Sequence, residues 1–278
     1  MKYCLSILPE IDALLREGGR VLIASDFDGT LCPISESPAQ VKLAPATLEI
    51  LRHAAACPRM KLAVISGRAL ADVRRRVPVD IIFAGNHGLE IAGGGLAFEH
   101  AGARQLRPSL EEACRVLRDA IQEWPEAWVE DKGLSATLHF RRVDKRRHSA
   151  LLFAARRSLG MFGQKLALRM GNRALEVRPK VEWDKGTALK YIEAGLGPFD
   201  SCICLGDDRT DESMFRANQK QLNISVGRYK GTLANHYLSD AADVTILLSH
   251  IVDVCGSKAR SSSTDYEPSG QAAGLSHR

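Results

Sequence analysis

The segment at residues 26–30, with the sequence DFDGT, constrains the fold of this chain more than any other. It follows the apolar run VLIA at residues 21–24, which is typical of a buried parallel strand, and Gly29 ends that strand. Ligands bind at the carboxyl ends of strands in open α/β sheets. Two carboxylates there suit a divalent cation and a covalent phosphoryl intermediate, for which aspartate is a known nucleophile. The alternative interpretation is a simple Asp-Gly turn, because short motifs have many false positives.

A second group of carboxylates follows another apolar run. The run SCICL at residues 201–205 leads into GDDRTDE at residues 206–212, where a helix is expected to begin. Like charges packed so closely repel each other unless a cation neutralises them, and magnesium prefers oxygen ligands. A helix start signal is the alternative for the end of this segment. That alternative leaves the adjacent pair Asp207 and Asp208 unexplained.

Two shorter motifs complete the series. The run KLAVI at residues 61–65 leads to Ser66-Gly67-Arg68, where a serine hydroxyl and a helix N-terminus can donate hydrogen bonds to a phosphate. An N-cap serine is the alternative interpretation. Lys185-Gly186 is the last piece, and a lone lysine is usually a solvated surface residue. Only its place in the series gives Lys185 a functional interpretation.

In chain order the four motifs are Asp-x-Asp-Gly-Thr, Ser-Gly-Arg, Lys-Gly and Gly-Asp-Asp-x-Thr-Asp, and together they resemble the phosphatase branch of the haloacid dehalogenase superfamily. The long insert between Ser66 and Lys185 is similar to that of the subgroup whose cap lies between the second and third motifs. The alternation of strands and helices also indicates a doubly wound, mostly parallel α/β sheet. The expected fold class is therefore α/β, a haloacid dehalogenase-like core with an inserted α+β cap domain.

Three further segments narrow the resemblance: GNHGLE at residues 85–90, VEDKGLS at 129–135 and LEVRP at 175–179. The combination is similar to that of trehalose-6-phosphate phosphatases. The resemblance covers residues 21–254, and Phe27 stands where tyrosine is frequent in that family. It implies magnesium-dependent hydrolysis of trehalose 6-phosphate, the last step of trehalose biosynthesis, and functional coupling to a trehalose-6-phosphate synthase.

The resemblance also assigns catalytic roles. Asp26 is expected to attack phosphorus and become an aspartyl-phosphate. Asp28 is expected to protonate the leaving sugar oxygen and then to deprotonate the hydrolytic water, so its environment should raise its pKa. Ser66 and Lys185 are expected to hold the phosphoryl oxygens in the transition state.

The metal ligands follow from the same resemblance. Mg²⁺ is expected to be bound by the Asp26 carboxylate, the Asp28 backbone carbonyl and Asp207. Asp208 and Asp211 are expected either to be ligands or to position the waters of the metal.

Sugar selectivity is expected to come from the cap, where Glu130, Lys132 and Glu176 match the sugar-contacting positions of the family. Glu130 and Lys132 lie two residues apart and share a face if they lie on a strand. An exposed cross-strand ion pair is the alternative interpretation of these two residues.

Further substrate-binding residues lie at the strand ends. Gly67 and Arg68 follow the phosphate-binding serine, and Arg68 either assists binding or pairs with a surface acid. Asn86 and His87 follow a strand and are expected to reach the substrate, although His87 also fits a hydrogen-bonded loop histidine. Arg178 is expected either to approach the phosphate or to serve the hinge beside Pro179.

The predicted domains are a Rossmann-like catalytic core at residues 1–104 and 180–255, the cap at 105–179 and a disordered tail at 256–278. Apolar runs and helical periodicity give the elements of the core. The predicted strands are 21–25, 62–65, 81–84, 201–205, 223–226 and 244–247, and the predicted helices are 44–56, 70–77, 185–194 and 211–217. The cap is predicted to contain helices at 109–123 and 145–159 and strands at 134–140, 166–170 and 174–177.

Composition excludes several other classes of protein. The formal net charge is only +5 and aromatic residues make up 6% of the chain, so its arginine clusters lack the stacking platforms of a nucleic-acid-binding protein. No apolar run approaches the roughly 18 residues that span a bilayer. Seven scattered cysteines without zinc spacing are expected to be reduced thiols of a cytoplasmic protein.

Two rival functions stay open at this stage. Another capped sugar-phosphate phosphatase, acting on sucrose phosphate or a mannosyl phosphoglycerate, would carry the same catalytic motifs. A non-catalytic regulatory protein of the same fold is the other rival, but loss of Asp26 or Asp28 would be its signature, and both are present.

Overall fold

The computed structural model describes residues 1–16, 19–35, 40–218 and 221–261. Its strands form two sheets. The strands are β1 (Lys2–Tyr3), β2 (Val21–Ser25), β3 (Met60–Ile65), β4 (Ile82–Gly85), β5 (Glu90–Gly93), β6 (Leu96–Glu99), β7 (Trp128–Asp131), β8 (Ala136–His139), β9 (Leu166–Gly171), β10 (Ala174–Pro179), β11 (Ser201–Gly206), β12 (Leu222–Val226) and β13 (His236–Leu238).

The helices pack on both sheets. They are α1 (Leu8–Arg16), α2 (Pro45–Ala56), α3 (Leu70–Arg76), α4 (Ala101–Gln105), α5 (Arg107–Ala120), α6 (His148–Ser158), α7 (Lys185–Leu196), α8 (Glu212–Ala217) and α9 (Ala241–Ser261). Among the described residues, no helix has the length and apolar character needed to cross a membrane.

The larger sheet has nine strands in the order β1-β13-β12-β11-β2-β3-β4-β5-β6. Pairing is parallel from β1 to β4 and antiparallel at β5 and β6. Its central strand β2 is buried along its whole length because apolar residues pack on both faces. Ile23 contributes to the core shared with α2 and α9, whereas Leu22 and Ala24 face α7 and α8. The doubly wound, mostly parallel sheet predicted from the sequence is therefore confirmed.

The smaller sheet is antiparallel, in the order β7-β8-β10-β9. One of its faces packs against α5 and α6 through a separate apolar core that includes Leu117, Leu138 and Leu175. The opposite face carries polar residues and is turned toward the larger sheet, as shown below. All strands of this sheet, together with α5 and α6, lie within residues 105–179. The domain boundaries predicted at 104/105 and 179/180 stay predictions.

One predicted strand is wrong. Residues 244–247 lie inside α9 rather than in a strand. The reason is visible in the wider sequence, since Val244, Leu247, Leu248 and Ile251 recur at helical spacing and all are buried. The same helix continues to Ser261, past the predicted start of the tail at Gly256, and residues 262–278 lie outside the described residues.

Four strands of the larger sheet were not predicted: β1, β13, β5 and β6. β5 and β6 form a hairpin whose two-residue loop is Gly94-Gly95, and both glycines have positive φ. Adjacent glycines between short apolar runs are a hairpin signal, so this element was readable in the sequence. The hairpin extends the sheet beyond β4 and leads the chain toward the smaller sheet.

Candidate active site

Four neighbouring parallel strands end at one edge of the larger sheet. In spatial order they are β11, β2, β3 and β4, and they are followed by Asp207, Asp26, Ser66 and Asn86. Backbone bonds extend the pairing past the strand ends: the Asp26 amide donates to the Leu205 carbonyl at 2.9 Å. Motifs that are far apart in the sequence therefore meet at this edge.

Lys185 links two of the carboxylates. Its Nζ donates to Oδ1 of Asp26 and to Oδ1 of Asp211, both at 2.7 Å. The lysine is only 2% exposed, because it begins α7 directly over the end of β2. The N-cap of this helix is Asp184, which accepts a hydrogen bond from the Thr187 amide. A buried lysine held between two carboxylates is not the solvated residue that is usual for this side chain.

The acidic cluster carries more negative charge than Lys185 neutralises. Burial raises the pKa of Asp26 well above its usual range, against the opposing charge of Lys185. Burial and the charge of Asp211 raise the pKa of Asp207 to about 7. Burial acts to lower the pKa of Lys185, but the charges of Asp211 and Asp26 raise it above its ordinary value. This is the electrostatic environment that an additional cation would stabilise.

The donor set fits a metal ion that prefers oxygen. Asp26, Asp207 and Asp211 each offer a carboxylate oxygen, and the three atoms lie within 4.8 Å of one another. Asp211 is already engaged, since its Oδ2 accepts from the amides of Asp207 and Asp208 at 2.9 and 3.1 Å. Asp211 therefore shapes the loop that presents Asp207. Of these three residues, Asp26 and Asp207 line the cavity between the two sheets that is described below, and Asp211 does not.

Asp208 has a different structural role from the three clustered carboxylates. It is exposed, and its Oδ1 accepts from the amide and the hydroxyl of Thr210 at 2.7 and 2.6 Å. This contact is a turn that precedes α8, whose N-cap residue, Asp211, makes no side-chain capping bond, so the helix start signal considered for the end of the segment does not account for Asp208. Asp208 still lines the cavity, but it lies outside the group of three clustered carboxylates.

Arg68 binds the Asp28 carboxylate through two hydrogen bonds. Its Nε donates to Oδ2 and its Nη2 to Oδ1 of Asp28, both at 2.6 Å, and its Nη1 donates to Asp72 at 2.8 Å. The guanidinium also lies 5.4 Å from the centre of the Phe27 ring. Two interpretations of Arg68 were open, assistance in substrate binding and pairing with a surface acid. The structure shows that Arg68 pairs with carboxylates, and one of them is Asp28 of the first motif.

The polar face of the smaller sheet closes over this edge. Lys132 Nζ donates to the Gly67 carbonyl at 3.0 Å, and the Ser135 hydroxyl donates to Asn86 Oδ1 at 2.5 Å. The Asn86 amide nitrogen donates in turn to the Lys132 carbonyl at 3.1 Å. Asn86 is completely buried in this contact and does not line the cavity.

Glu176 lies on the same face, opposite His87. Its Oε2 is 3.6 Å from His87 Nε2 and accepts hydrogen bonds from Arg178. Burial acts to raise the pKa of Glu176, but His87 and Arg178 lower it. Burial and the charge of Arg178 lower the pKa of His87 to about 4. Within the described part of the chain His87 Nδ1 has no hydrogen-bond partner, so His87 is not a fully hydrogen-bonded loop histidine.

A cavity of ≈ 420 Å³ lies between the two sheets, within the ~300–1,000 Å³ range of small-molecule sites. Most of the predicted site residues line it, and three do not: Asn86, Arg178 and Asp211. Those that do are Asp26, Asp28, Ser66, Gly67, Arg68, His87, Glu130, Lys132, Glu176, Lys185, Asp207 and Asp208. Their roles in binding and catalysis stay predictions.

Several lining residues were not predicted. For Trp128 the sequence contained a usable signal. Side chains alternate between the two faces of a strand, so Trp128, two residues before Glu130 on β7, faces the same way as Glu130. His139 is paired with Trp128 on β8, and its Nε2 lies 2.7 Å from Glu130 Oε2. The further unpredicted lining residues of the cap are Thr137, Arg141, Asn172, Arg173 and Ala174.

A mostly parallel sheet with carboxylates at the ends of β2 and β11, and an inserted antiparallel sheet above them, defines a haloacid dehalogenase-like hydrolase. The sequence profile of the trehalose-phosphatase family matches residues 24–241. The chain belongs to the trehalose-phosphatase family, whose members are phosphoric monoester hydrolases.

A named relative agrees with this assignment. The chain is 32% identical over 255 residues to trehalose-phosphate phosphatase B of Arabidopsis thaliana, covering 85% of this chain and 67% of the relative. It is 40% identical over 224 residues to a Mycobacterium tuberculosis protein named an uncharacterized glycosyl hydrolase, covering 77% of this chain but 16% of that protein. The fold is similar to the C-terminal domain of C. albicans trehalose-6-phosphate phosphatase, with a TM-score of 0.77, 23% identity and coverage of 88% and 96%.

Proposed function

We propose that this enzyme hydrolyses trehalose 6-phosphate to trehalose and phosphate through an aspartyl-phosphate on Asp26, with Mg²⁺ as its cofactor. The observation that carries the proposal is that Asp26 and Lys185 line the same cavity as Glu130, Lys132 and Glu176. One side of this cavity offers a nucleophile and cations for a phosphoryl group. The other offers carboxylates and an ammonium group that suit sugar hydroxyls.

In the first step an Asp26 carboxylate oxygen forms a bond to phosphorus, and the bond from phosphorus to the sugar oxygen breaks. Lys185 and Ser66 stabilise the phosphoryl oxygens as charge redistributes. Asp28 gives the leaving sugar oxygen its proton. Both Asp28 oxygens accept hydrogen bonds from Arg68 in the structure, so the proton has to occupy the second lone pair of one of these oxygens.

In the second step a water attacks the phosphorus of the aspartyl-phosphate, and Asp28 accepts the proton of that water. The bond between phosphorus and the Asp26 oxygen breaks, which releases phosphate and restores the carboxylate.

Asp26 and Asp207 would hold the metal, and Asp211 would orient Asp207 through its amide. When bound, the ion supplies positive charge to the phosphoryl oxygens and partly neutralises the clustered carboxylates. Its identity as Mg²⁺ rests on the all-oxygen donor set. A cytoplasmic location and functional coupling to a trehalose-6-phosphate synthase stay predictions from the sequence.

The proposal is tested by measuring phosphate release with MgCl₂ from trehalose 6-phosphate, sucrose 6-phosphate and mannosyl phosphoglycerate. Wild-type protein should prefer trehalose 6-phosphate, and Asp26→Asn should lose activity by about 10⁴-fold or more. Asp80→Asn, an exposed acid outside the cavity, is the matched control and should keep full activity. Activity on other sugar phosphates alone would retain the mechanism and reject the substrate. No activity on any of them would favour the non-catalytic rival.

A further inference from the structure

Trp128 is a large aromatic residue left partly exposed inside the candidate active site. It is 37% exposed, although tryptophan usually buries most of its surface, and it lines the cavity between the two sheets. It lies at the start of β7, the edge strand of the smaller sheet. Nothing in the proposed phosphoryl chemistry uses this side chain.

The ring of Trp128 has two side-chain neighbours, His139 and Arg142, and the Arg142 guanidinium lies 5.9 Å from the ring centre. The Trp128 ring stacks on His139, with ring centroids 4.7 Å apart and an angle of 17° between the planes. His139 is fixed in turn by Glu130, whose Oε2 lies 2.7 Å from its Nε2. A rigid aromatic wall beside a carboxylate presents an apolar surface and hydrogen-bond acceptors together, which matches the apolar ring face and the hydroxyl edge of a pyranose.

A second observation points to a ligand on the same face. Thr137 is paired with both Glu130 and Glu176 across the sheet and lines the cavity. It is 3% exposed, and its Oγ1 has no hydrogen-bond partner among the residues that the structure describes. Buried hydroxyls are normally hydrogen-bonded, so an orphan hydroxyl between two cavity carboxylates is suited to a ligand hydroxyl.

The position of Trp128 along β7 determines which part of a substrate its ring can contact. Lys132 touches the core beside the phosphoryl site, at 3.0 Å from the Gly67 carbonyl. Trp128 lies four residues earlier, or about 13 Å back along an extended chain. The aromatic wall is therefore displaced from the phosphoryl site toward the far part of the substrate.

We propose that the stacked pair Trp128–His139, together with Thr137, forms a subsite for the sugar ring that does not carry the phosphate. This inference rests on the proposed function and adds the residues that distinguish a disaccharide phosphate from a monosaccharide phosphate. Trp128 and Thr137 act as specificity-determining residues, and His139 is a positioning residue for the tryptophan ring and Glu130.

The test compares trehalose 6-phosphate with glucose 6-phosphate, which lacks the second ring, in wild type, Trp128→Leu, Trp128→Phe and Thr137→Val. In Trp128→Leu the KM for trehalose 6-phosphate should rise about tenfold with little change in kcat, which corresponds to about 1.4 kcal/mol of lost binding. Turnover of glucose 6-phosphate should stay unchanged. Trp128→Phe should lie between wild type and Trp128→Leu because it keeps a ring, and Thr137→Val should raise the same KM.

Phe153→Leu is the matched control, because Phe153 is an aromatic residue of α6 that is 67% exposed and does not line the cavity. A binding readout accompanies the kinetics: trehalose should change tryptophan fluorescence in wild type and lose that effect in Trp128→Phe. Melting temperatures check that each variant is folded.

Three results would overturn the inference. An unchanged KM for trehalose 6-phosphate in folded Trp128→Leu and Thr137→Val would remove the subsite and leave the proposed function intact. An equal loss with both substrates would show that Trp128 supports the fold rather than the second ring. Absence of turnover of trehalose 6-phosphate by wild type would instead reject the proposed function, and this inference with it.

Discussion

Gly29 and Asp207 lie so close that a Cβ atom at Gly29 would overlap the Asp207 carboxyl group. Gly29 also has a φ of 86°, in the left-handed region that favours glycine. The turn after β2 and the loop after β11 therefore fit together only because one of them lacks a side chain. This contact brings a carboxylate of the fourth motif beside the first motif.

Gly29→Ala should lower kcat/KM for trehalose 6-phosphate by about 10²-fold or more, because displacement of a catalytic group by 1 Å costs about that much. Gly95→Ala is the matched control, since Gly95 has the same φ of 86° but open space around its Cβ position. Backbone strain should cost both variants about 1 kcal/mol of stability, and Gly29→Ala should lose more because its Cβ overlaps Asp207. Equal activity in the two variants would contradict the role given to the Gly29–Asp207 contact.

Arg68→Lys should lower kcat about tenfold or more and leave KM nearly unchanged, because lysine cannot hold both oxygens of Asp28. The pH profile of kcat should change as well, since Asp28 would lose the group that orients it. Arg75→Lys is the control, because Arg75 also pairs with Asp72 but is 74% exposed. A rise in KM with unchanged kcat would instead indicate direct substrate binding by Arg68.

Folding stability should fall as pH is lowered from 6.5 to 4, in part because of His87. Burial and Arg178 lower the pKa of His87 to about 4, so the unfolded chain binds more protons than the folded chain in this window. The contribution is fully present above pH 6.5 and is lost toward pH 4, up to about 3 kcal/mol. Denaturant unfolding at several pH values measures it.

The His87→Asn variant should show a shallower decline than wild type over the same pH range, because it lacks the titrating ring. Asparagine also tolerates the left-handed backbone at this position, where φ is 59°. His53→Asn, at a histidine with 64% side-chain exposure, should decline like wild type. Identical slopes for wild type and His87→Asn would contradict the assignment.

Mg²⁺ should stabilise the fold through the carboxylates at the strand ends. At a concentration of about 100 Kd the ion should add roughly 2.7 kcal/mol, which raises the Tm by about 5–10 °C. Asp207→Asn should lose this dependence, whereas Asp80→Asn should keep it. Differential scanning calorimetry against NaCl of equal ionic strength measures the effect, and an equal shift in Asp207→Asn would place the ion elsewhere.

The site residues that could be predicted from the sequence are those that follow buried strands, because ligands bind at the carboxyl ends of the strands in open α/β sheets. Asp26, Ser66 and Asp207 follow apolar runs that form adjacent parallel strands, and these residues lie in one cavity with Lys185. Each motif carries a local signal, namely a polar group directly after a buried run. The placement of these residues therefore needed no knowledge of the tertiary structure beyond the order of the strands.

Contacts between distant residues could not be predicted in the same way. Arg68 and Asp28 are 40 residues apart, and no local pattern tells an arginine after a serine-glycine turn which carboxylate it will meet. The pairing of Trp128 with His139 depends on the register between β7 and β8. The last apolar run, 244–247, was too short to distinguish a strand from a helix until the longer spacing of α9 was considered.

Lys132 lines the cavity and also donates to the Gly67 carbonyl, a contact that joins the smaller sheet to the larger one. Its ammonium group has three protons, so it can keep that hydrogen bond and still donate to a ligand in the cavity. A ligand bound to Lys132 would therefore be linked through a single side chain to the turn that carries Gly67. Occupation of the cavity and contact between the two sheets are thus coupled at one nitrogen atom.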